Sequence, residues 1–374
     1  MIEKLDWRLI IFVALCLITL IQVLYYLYFF RRLAFYNLGP QGLYHQQPVS
    51  VVICARDEAA NLAKNLPGVL VQEYSDAQEL ILVNDNSIDE TKYLIEALQK
   101  DFPQLQMLEL KQEAKFISGK KFPLSMGIKS AKYNVVLLTD ADCVPASEFW
   151  MQKMISRFQH GAEIVLGYGA YYKGKGILNK IIRFETFHTA LQYFSYALAG
   201  IPYMGTGRNL AYKKDLFFRN KGFSAHNHLP GGDDDLFINA SATRHNTEVV
   251  IDKEAFTLSV PKNTWSEWMK QKRRHFTTSK FYKSKHKFLL GSYSLSHFLF
   301  YPLCIAAALF FNWQLAVGIF ALRAIIQGVI WYKAMEKLDE LDLWKWFLVF
   351  DIFMFVYYFI FTPALWKKPR ANWK

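Results

Sequence analysis

The chain has 374 residues, of which 52% are apolar and 20% are charged, and its formal net charge is +12 at pH 7. These proportions exclude a disordered chain, a collagen-like chain and a small disulfide scaffold, and the length allows two or three domains. The four cysteines lie far apart without a paired spacing, which argues against a zinc site and against a disulfide framework.

The first predicted element is a membrane-spanning helix over residues 9–30, a run of 22 residues without a charged side chain. Such a run can cross the ~30 Å hydrocarbon core of a bilayer, and it is too long for a cleaved signal peptide. Arg31 and Arg32 follow it, so the positive-inside rule predicts that the next domain lies in the cytoplasm. We interpret residues 1–38 as an N-terminal membrane anchor.

Residues 48–260 are predicted to form a soluble α/β domain. Four apolar runs predict buried strands, at residues 49–55, 79–83, 106–110 and 134–139. Three segments with helical spacing lie between them, at residues 58–72, 89–100 and 121–132. Strands that alternate with helices indicate βαβ units and a mostly parallel sheet.

Acidic residues follow three of these predicted strands. Asp57 and Glu58 come after the first strand, Asp85 after the second, and Asp140 and Asp142 after the fourth. In open α/β sheets ligands bind beyond the carboxyl ends of the strands, so we expect the three acidic loops to converge on one crevice. The sequence has neither a GxGxxG nor a GxxxxGK[ST] motif, which argues against dinucleotide and P-loop sites.

Two acidic motifs point to specific chemistry. Asp140 and Asp142 are two residues apart after a buried strand, and carboxylates at this spacing suit Mg²⁺ or Mn²⁺. Asp233, Asp234 and Asp235 are consecutive, and such crowding raises the pKa of at least one of them, as a general base requires. The simpler alternatives are a solvated turn for the first motif and a helix N-cap for the second, for which Asp235 suffices.

Residues 261–287 contain nine basic residues and one acidic residue, with aromatic residues between them. This composition is typical of an amphipathic segment on an anionic cytoplasmic leaflet. A nucleic-acid surface is disfavoured because the segment adjoins the membrane, so we predict membrane lipids and no nucleic acid as partners.

The C-terminal region at 288–366 contains three further candidate spans, at residues 288–311, 312–332 and 346–366, and a basic tail follows at 367–374. Arg323 and Asp351 lie inside these spans and are either functional groups or polar links within a helix bundle. Four crossings that begin outside place the basic tail outside as well, against the charge rule, so a re-entrant segment remains an alternative.

The order of these motifs resembles that of the membrane-embedded family-2 glycosyltransferases, the group that includes hyaluronan, chitin, cellulose and poly-N-acetylglucosamine synthases. The resemblance covers about residues 48–280 and the flanking spans. It implies a GT-A fold (Rossmann-like), a nucleotide-sugar donor such as a UDP-sugar, a Mg²⁺ or Mn²⁺ ion, and inverting transfer.

The resemblance also implies roles for individual residues. The donor-binding residues would be Asp57, Glu58, Asp85, Lys121, Asp140, Gln271 and Arg274. The metal would be held by Asp142 and Asp140, with Asp142 as the more direct ligand. The acceptor side would be formed by Arg208, Asn209 and His275, and the base would be Asp233 or Asp234.

Three positions depart from the family pattern. Asn84 replaces the usual first Asp of the uridine loop, which leaves Asp85 in that role. Gly232 stands where Glu is common, so the base is either Asp233 or Asp234. His275 replaces a Trp that caps the acceptor end in processive members, which argues against chain polymerisation.

The predicted function is therefore metal-dependent glycosyl transfer from a nucleotide-sugar to a glycan or lipid-linked acceptor, by a multi-pass protein of the cell inner membrane whose catalytic domain faces the cytoplasm. One alternative is a non-processive lipid glycosyltransferase. A less favoured one is a membrane transporter or channel with a sugar-nucleotide-binding domain. A metal-dependent phosphohydrolase is disfavoured because no histidine accompanies the acidic loops.

Overall fold

The computed structural model describes residues 6–37, 46–111, 119–159 and 161–366. The chain divides into two compact units. The sheet unit is Asn37–Tyr282, and the helix unit comprises the described residues up to Tyr36 and from Lys283 onward. The predicted basic tail at 367–374 lies outside the described residues.

The helix unit begins with the predicted N-terminal span. Helix α1 is Trp7–Leu24, a π-helical turn at Tyr25–Phe30 continues it, and α2 is Arg31–Ala34. Asp6 caps α1, since its carboxylate accepts the amide of Arg8 at 3.0 Å. Together these elements form one apolar helix of 28 residues, long enough to cross a membrane.

The sheet unit is built on a seven-stranded sheet in the order β3-β2-β1-β4-β8-β6-β9. Its strands are β1 Val49–Ala55, β2 Gln78–Asp85, β3 Leu105–Leu110, β4 Val135–Asp140, β6 Ile164–Leu166, β8 Leu210–Lys213 and β9 Thr247–Val249. Strands β1 to β4 are parallel, whereas β8 runs antiparallel to both of its neighbours. The predicted α/β class with a mostly parallel sheet is therefore confirmed.

A second, three-stranded sheet lies in the same unit, in the order β5-β10-β7. Its strands are β5 Cys143–Pro145, β7 Gly169–Tyr171 and β10 Thr257–Ser259. Strand β5 starts directly after the Asp140-Ala141-Asp142 turn, so the second sheet borders the predicted metal site. None of its strands was predicted, since each has only three residues.

The helices of the sheet unit are α3 Ala59–Leu70, α4 Thr91–Leu98, α5 Lys121–Ser130, α6 Trp150–Ile155, α7 Ile177–Leu198, α8 Lys214–Arg219, α9 Asp235–Ser241 and α10 Trp265–Ser279. The core lies between the sheet and helices such as α3 and α6, where Val51, Leu66 and Met154 are at most 1% exposed. Every residue of β1 is buried, which explains why its sequence is a continuous apolar run. Helix α10, part of the predicted interfacial segment at 261–287, belongs to the sheet unit.

The helix unit ends with α11 Ser284–Phe310, α12 Trp313–Lys337 and α13 Phe347–Phe361. A 3₁₀ turn before α13 and another after it extend the last span to Leu341–Leu365. With the N-terminal helix, four helices of the described residues are therefore long and apolar enough to cross a membrane. Each predicted C-terminal span corresponds to one of them.

The charged residues of these spans form one buried network. Arg323 donates from Nη1 and Nη2 to the two carboxylate oxygens of Asp351, at 2.5 and 3.0 Å. Its Nε donates to Oε1 of Gln22 at 2.6 Å, and Gln327 donates to Asp351 at 2.7 Å. Arg323 is fully buried and Asp351 is 1% exposed. This geometry favours the polar-link interpretation, since the network joins α1, α12 and α13.

Candidate active site

The acidic loops begin at one edge of the seven-stranded sheet. Strand β1 lies between β2 and β4, and its pairing register places Cys54 beside Asp140 and Ala55 beside Asn84. Adjacent strands are ~4.8 Å apart, so the loops that follow these three strands start side by side. The chain topology thus brings together the acidic loops that follow β1, β2 and β4.

The first two loops are joined by hydrogen bonds. The amide of Asp57 donates to Oγ of Ser87 at 3.0 Å, and Oδ1 of Asp57 accepts the amide of Ile88 at 2.8 Å. The amide of Glu58 donates to Oγ1 of Thr91 at 3.1 Å. Asp57 has a positive φ of 55°, which aspartate tolerates better than most residues. Asp57 therefore also shapes the loop that was predicted to bind the nucleotide.

Asp85 ends β2 and is only 6% exposed. Its Oδ1 accepts the amide group of Asn86 at 3.2 Å, and Nη1 of Arg56 lies 3.9 Å from its Oδ2. Asn84 accepts the backbone amide of Ser87 through Oδ1 at 3.2 Å. Asn84 therefore shapes the turn, and Asp85 is the charged carboxylate of this loop.

The Asp140-Ala141-Asp142 turn brings potential metal ligands together. Ligand atoms of Asp140, Asp142 and Cys143 all lie within 4.8 Å of one another. Burial raises the pKa of the Cys143 thiol, which disfavours the thiolate form that binds metals. Two carboxylates without a thiolate or an imidazole fit a hard cation such as Mg²⁺ or Mn²⁺.

The two carboxylates of this turn have opposite electrostatic surroundings. Burial tends to raise the pKa of Asp140, but the charge of Lys120 and its hydrogen bond outweigh this effect and lower it. Asp142 reaches the surface, yet the walls of the cleft desolvate its carboxyl group. This desolvation and the Asp140 charge raise the pKa of Asp142. Asp142, which has no cationic partner at ion-pair distance in the described part of the chain, fits the direct metal ligand.

The two lysines before β4 have different positions. Lys120 forms an ion pair with Asp140. Lys121 is fully buried, and its ammonium donates to the carbonyl of Leu229 at 2.5 Å and to that of Gly231. The family resemblance implied that Lys121 binds the donor. The structure instead places Lys120 next to the acidic turn and uses Lys121 to hold the loop before Asp233.

The three consecutive aspartates have three different environments. Asp235 is buried, and its Oδ2 accepts hydroxyl protons from Thr278 at 2.5 Å and Tyr282 at 2.7 Å. Asp234 caps α9 and accepts the amides of Gly207 at 2.8 Å and Asp235 at 2.7 Å. The Asp233 carboxylate has no hydrogen-bond or ion-pair partner within the described residues, so it is the one available to a ligand.

Electrostatic crowding affects this cluster as the sequence predicts. Burial and the adjacent carboxylates of Asp233 and Asp235 raise the pKa of Asp234 to about 7. Gly232, which precedes the cluster, has a φ of 93°, and an added Cβ would lie 2.5 Å from Cδ1 of Leu236. A side chain such as glutamate therefore does not fit here without a backbone shift.

Arg208 and Asn209, predicted on the acceptor side, differ in accessibility. Arg208 donates to Oγ of Ser259 and to the carbonyl of Gly169, both at 2.8 Å, and its guanidinium lies 4.3 Å from the ring centre of Tyr171. Its charge lowers the pKa of Asp140, after the larger effects of burial and Lys120. Arg208 thus borders the acidic turn.

Asn209 is fully buried, and its amide group is engaged within the protein. Its Nδ2 donates to the carbonyls of Tyr168 at 3.0 Å and Ala255 at 2.7 Å, and its Oδ1 accepts Nε1 of Trp150 at 3.0 Å. These bonds leave Asn209 with no accessible polar atom that could contact an acceptor substrate. The position of Asn209 is that of a structural residue.

Helix α10 carries the last predicted group. Thr264 caps it, since the amide of Glu267 donates to Oγ1 of Thr264 at 3.3 Å, and Lys272 forms an ion pair with the buried Glu185 of α7. Gln271 and Arg274 are half-buried, whereas His275 is exposed. The Arg274 charge is among those that lower the pKa of Asp140, so this face of α10 lies near the acidic turn.

Four of these charged groups lie near one buried thiol, that of Cys54. Burial raises the pKa of Cys54 to about 12, and the charges of Lys120, Asp140, Asp233 and Asp85 also act on it. Cys54 is the penultimate residue of β1, which lies between β2 and β4, so these four side chains lie around the carboxyl end of β1. Cys54 was not predicted as a site residue. Lys120 belongs to the Lys120-Lys121 pair that the sequence identified, of which only Lys121 was assigned to the donor.

Comparisons with known proteins agree with this geometry. The family profile described as Glycosyl transferase family 2 matches residues 50–218. The β-monoglucosyldiacylglycerol synthase of Nostoc sp. is 29% identical over 101 residues, which are 27% of this chain and 21% of that protein. The poly-β-1,6-N-acetyl-D-glucosamine synthase of Staphylococcus aureus (strain COL) is 28% identical over 166 residues, 43% of this chain and 38% of that protein. The match thus spans about a fifth of the first relative and under two fifths of the second.

A solved structure extends the likeness to nearly the whole fold. The mannosyltransferase PcManGT from Pyrobaculum calidifontis, in complex with GDP-Man and Mn²⁺, has 17% sequence identity and a TM-score of 0.57. The superposition covers 94% of this chain and 99% of that one. The likeness to the solved structure shows that the chain has a GT-A-like fold, and the matched profile shows that residues 50–218 resemble the family-2 glycosyl transferase domain.

Proposed function

We propose that this protein is an inverting, metal-dependent glycosyltransferase, and that it transfers a sugar from a UDP-sugar to a glycan or lipid acceptor at the cytoplasmic face of the cell inner membrane. The observation that carries the proposal is the convergence of the acidic loops beside Cys54, where Asp85, Asp140 and Asp233 all lie close enough for their charges to act on its thiol. In the proposed reaction one carboxylate is needed for the nucleotide, one for the cation that would neutralise the diphosphate, and one for the acceptor hydroxyl.

Asp233 is the proposed general base. Its carboxylate is unpartnered within the described residues, whereas Asp234 and Asp235 are held by hydrogen bonds. Asp233 takes the proton of the acceptor hydroxyl while the acceptor oxygen attacks the sugar and the nucleoside diphosphate leaves from the opposite side. A single displacement of this kind inverts the anomeric centre and needs only one base.

A second set of groups would hold the donor. Asp142 and Asp140 would hold Mg²⁺ or Mn²⁺, and a bound cation neutralises charge that develops on the leaving diphosphate. Lys120 and Arg274 place positive charge near the same turn, where fixed cations stabilise a leaving anion. The Mn²⁺ in the complex of PcManGT with GDP-Man supports a metal in this fold.

The remaining predicted donor contacts come from the loops after β1 and β2 and from α10. We propose that Asp85 binds the base of the nucleotide and that Asp57 and Glu58 line the same pocket, because the hydrogen bonds between these loops hold them side by side. Gln271 completes the donor side, one helical turn before Arg274.

We propose that the protein is bound to anionic membrane lipids and not to nucleic acid. The sheet unit is connected at both ends to candidate membrane spans. The exposed side of α10 and the residues before it carry Lys262, Trp265, Lys270 and Arg273, a mixture that suits an anionic leaflet. The paired arginines after the N-terminal span support a cytoplasmic sheet unit.

Two observations favour addition of a single sugar to a lipid over polymer synthesis. His275 is exposed on α10, where processive relatives are expected to carry a Trp. In the helix unit, Arg323, Gln327 and Asp351 are at most 1% exposed, so these polar groups serve packing and do not line a passage. The second observation also disfavours a transporter or channel.

The test is to incubate membranes that contain the full chain with a panel of UDP-sugars and GDP-mannose, with and without Mn²⁺. We expect metal-dependent release of nucleotide from at least one UDP-sugar and a lipid product whose mass is increased by one sugar. A ladder of product masses contradicts single addition, and an absence of nucleotide release from every donor contradicts the proposed function.

The role of His275 is tested by comparing the products of wild type and His275→Trp. If the histidine ends the acceptor site, its replacement by the larger ring should change product length. Identical products in the two proteins contradict a role of this position in chain length.

A further inference from the structure

We infer that Asp235 is a positioning residue that fixes α10 against the loop of the proposed base through the hydroxyl groups of Thr278 and Tyr282. The inference rests on the proposed function, in which Asp233 acts on the acceptor and Arg274 acts on the donor. It gives Asp235 a role beyond the helix cap that the sequence suggested.

The geometry is that of a buried, fully engaged carboxylate. Asp235 is 7% exposed, and Thr278 and Tyr282 are 5% and 7% exposed. Both hydroxyls donate to Oδ2 of Asp235, at 2.5 and 2.7 Å, and Oδ1 accepts the amide of Leu236 at 2.7 Å. We call the two bonds from Thr278 and Tyr282 to Asp235 the Asp235 joint. Hydrogen bonds to an ionised acceptor are short and about twice as strong as neutral ones, so the Asp235 joint is stiff.

The joint lies where it can set the distance between two functional groups. Asp235 is two residues after the proposed base. On α10, Gln271, Arg274 and Thr278 are spaced by three and four residues, so they share one face of the helix. The side chain that anchors the helix and the side chains proposed to hold the donor therefore move together.

The same loop is held from its other side. Lys121 donates to the carbonyls of Leu229 and Gly231, just before the proposed base. Gly231 packs so closely on α10 that an added Cβ would lie 3.3 Å from Cγ2 of Thr278. With the loop clamped between α5 and α10, loss of the Asp235 joint should shift α10 and leave the base in place.

This arrangement predicts a specific kinetic effect. Donor contacts from α10 should weaken, while proton transfer to Asp233 should persist once the donor is bound. Thr278→Val and Tyr282→Phe each remove one hydroxyl without a large change of shape. Either variant should raise the donor KM about tenfold or more, the size of a lost hydrogen bond to a charged group, with a smaller change in kcat.

Two matched variants control for general damage to the helix. Thr277→Val removes the neighbouring buried hydroxyl, which donates only to the carbonyl of Arg274 in its own helix, at 2.7 Å. It should leave donor KM within about twofold of wild type, since it breaks no contact between elements. Thr278→Ser retains the hydroxyl and should restore donor KM.

The measurement is nucleotide release by the full-length purified protein at varied donor concentration, together with direct binding of UDP. Equal donor KM and UDP affinity in Thr278→Val, Tyr282→Phe and Thr277→Val overturn the inference, as does a loss of thermal stability with unchanged kinetics. If Thr278→Val does not fold, Tyr282→Phe decides alone, because it removes a single oxygen. Wild type that releases no nucleotide contradicts the proposed function instead.

Discussion

The sheet unit and the helix unit each contain an aspartate paired with a basic side chain, and the two pairs are used differently. In the helix unit, Arg323 binds both carboxylate oxygens of Asp351, and neighbouring polar side chains complete the network. In the sheet unit, Lys120 binds Asp140, while the nearby carboxylates of Asp142 and Asp233 have no basic side chain at ion-pair distance within the described residues.

The comparison distinguishes charged side chains that stabilise the fold from charged side chains that are proposed to bind ligands. A buried ion pair is tolerated when hydrogen bonds satisfy its remaining polar atoms, as around Asp351. A group of carboxylates with too few cations is electrostatically unfavourable, and it persists where a bound cation or a substrate completes it. Charge in the candidate membrane spans is therefore satisfied by neighbouring polar groups, whereas the proposed function assigns the carboxylates at the sheet edge to binding and chemistry.

Among variants that test this comparison, Asp233→Asn is expected to have the largest effect, a loss of kcat. Removal of a general base lowers kcat by about 10²–10⁴-fold, and the amide keeps the size of the side chain. UDP binding should persist, because the donor groups are untouched. The measurement is nucleotide release together with equilibrium binding of UDP. Full activity in this variant, with inactivity in Asp234→Asn, would transfer the role of base to Asp234.

The next largest effect is expected from Arg323→Met, which should lower the free energy of unfolding. Removing one partner of a buried ion pair leaves an uncompensated charge and costs about 3–5 kcal/mol. The melting temperature of the detergent-solubilised protein should fall, and Arg323→Met/Asp351→Leu should recover part of the loss because it removes both charges. A melting temperature equal to that of wild type contradicts a structural role for this pair.

Asp142→Asn should remove most of the metal-dependent activity. Loss of an anionic ligand weakens cation binding, and we expect at least a ~10²-fold lower rate of nucleotide release at low Mn²⁺. The control is Asp101→Asn, which neutralises an exposed aspartate after α4. If Asp142→Asn retains wild-type release across a Mn²⁺ titration, the metal site lies elsewhere.

The sequence predicts the part of the fold that depends on local pattern. Strands β1 to β4 and helix α5 lie within one or two residues of their predicted bounds, because continuous apolar runs and helical spacing are local signals. The three-residue strands of the second sheet were not predicted. They exist because of long-range pairing, such as that of Ser259 with Cys143, which no local pattern encodes.

The same limit applies to the site. Sequence motifs identified the acidic loops, but the difference between Lys120 and Lys121 depends on the side of α5 from which each extends, since successive helical residues are rotated by ~100°. The burial of Asn209 depends on Trp150, Tyr168 and Ala255, which are distant in sequence. The sequence therefore predicted which residues lie near the site, whereas the side-chain contacts of each residue depend on the three-dimensional fold.

The smallest expected effect concerns Asp234 and pH. Its pKa is raised to about 7 by burial and by the adjacent carboxylates, against about 3.9 in an unfolded chain. The folded protein therefore retains a proton that the unfolded chain has released. This contribution to stability is complete below about pH 4 and is lost as the pH rises through about 7.

Asp234→Asn, which does not titrate, should lack this loss. Its melting temperature relative to that of wild type should therefore increase from about pH 5 to about pH 8, with most of the change below about pH 7. The measurement is thermal unfolding of both detergent-solubilised proteins in steps across this range. A difference in melting temperature that stays constant with pH contradicts the raised pKa of Asp234.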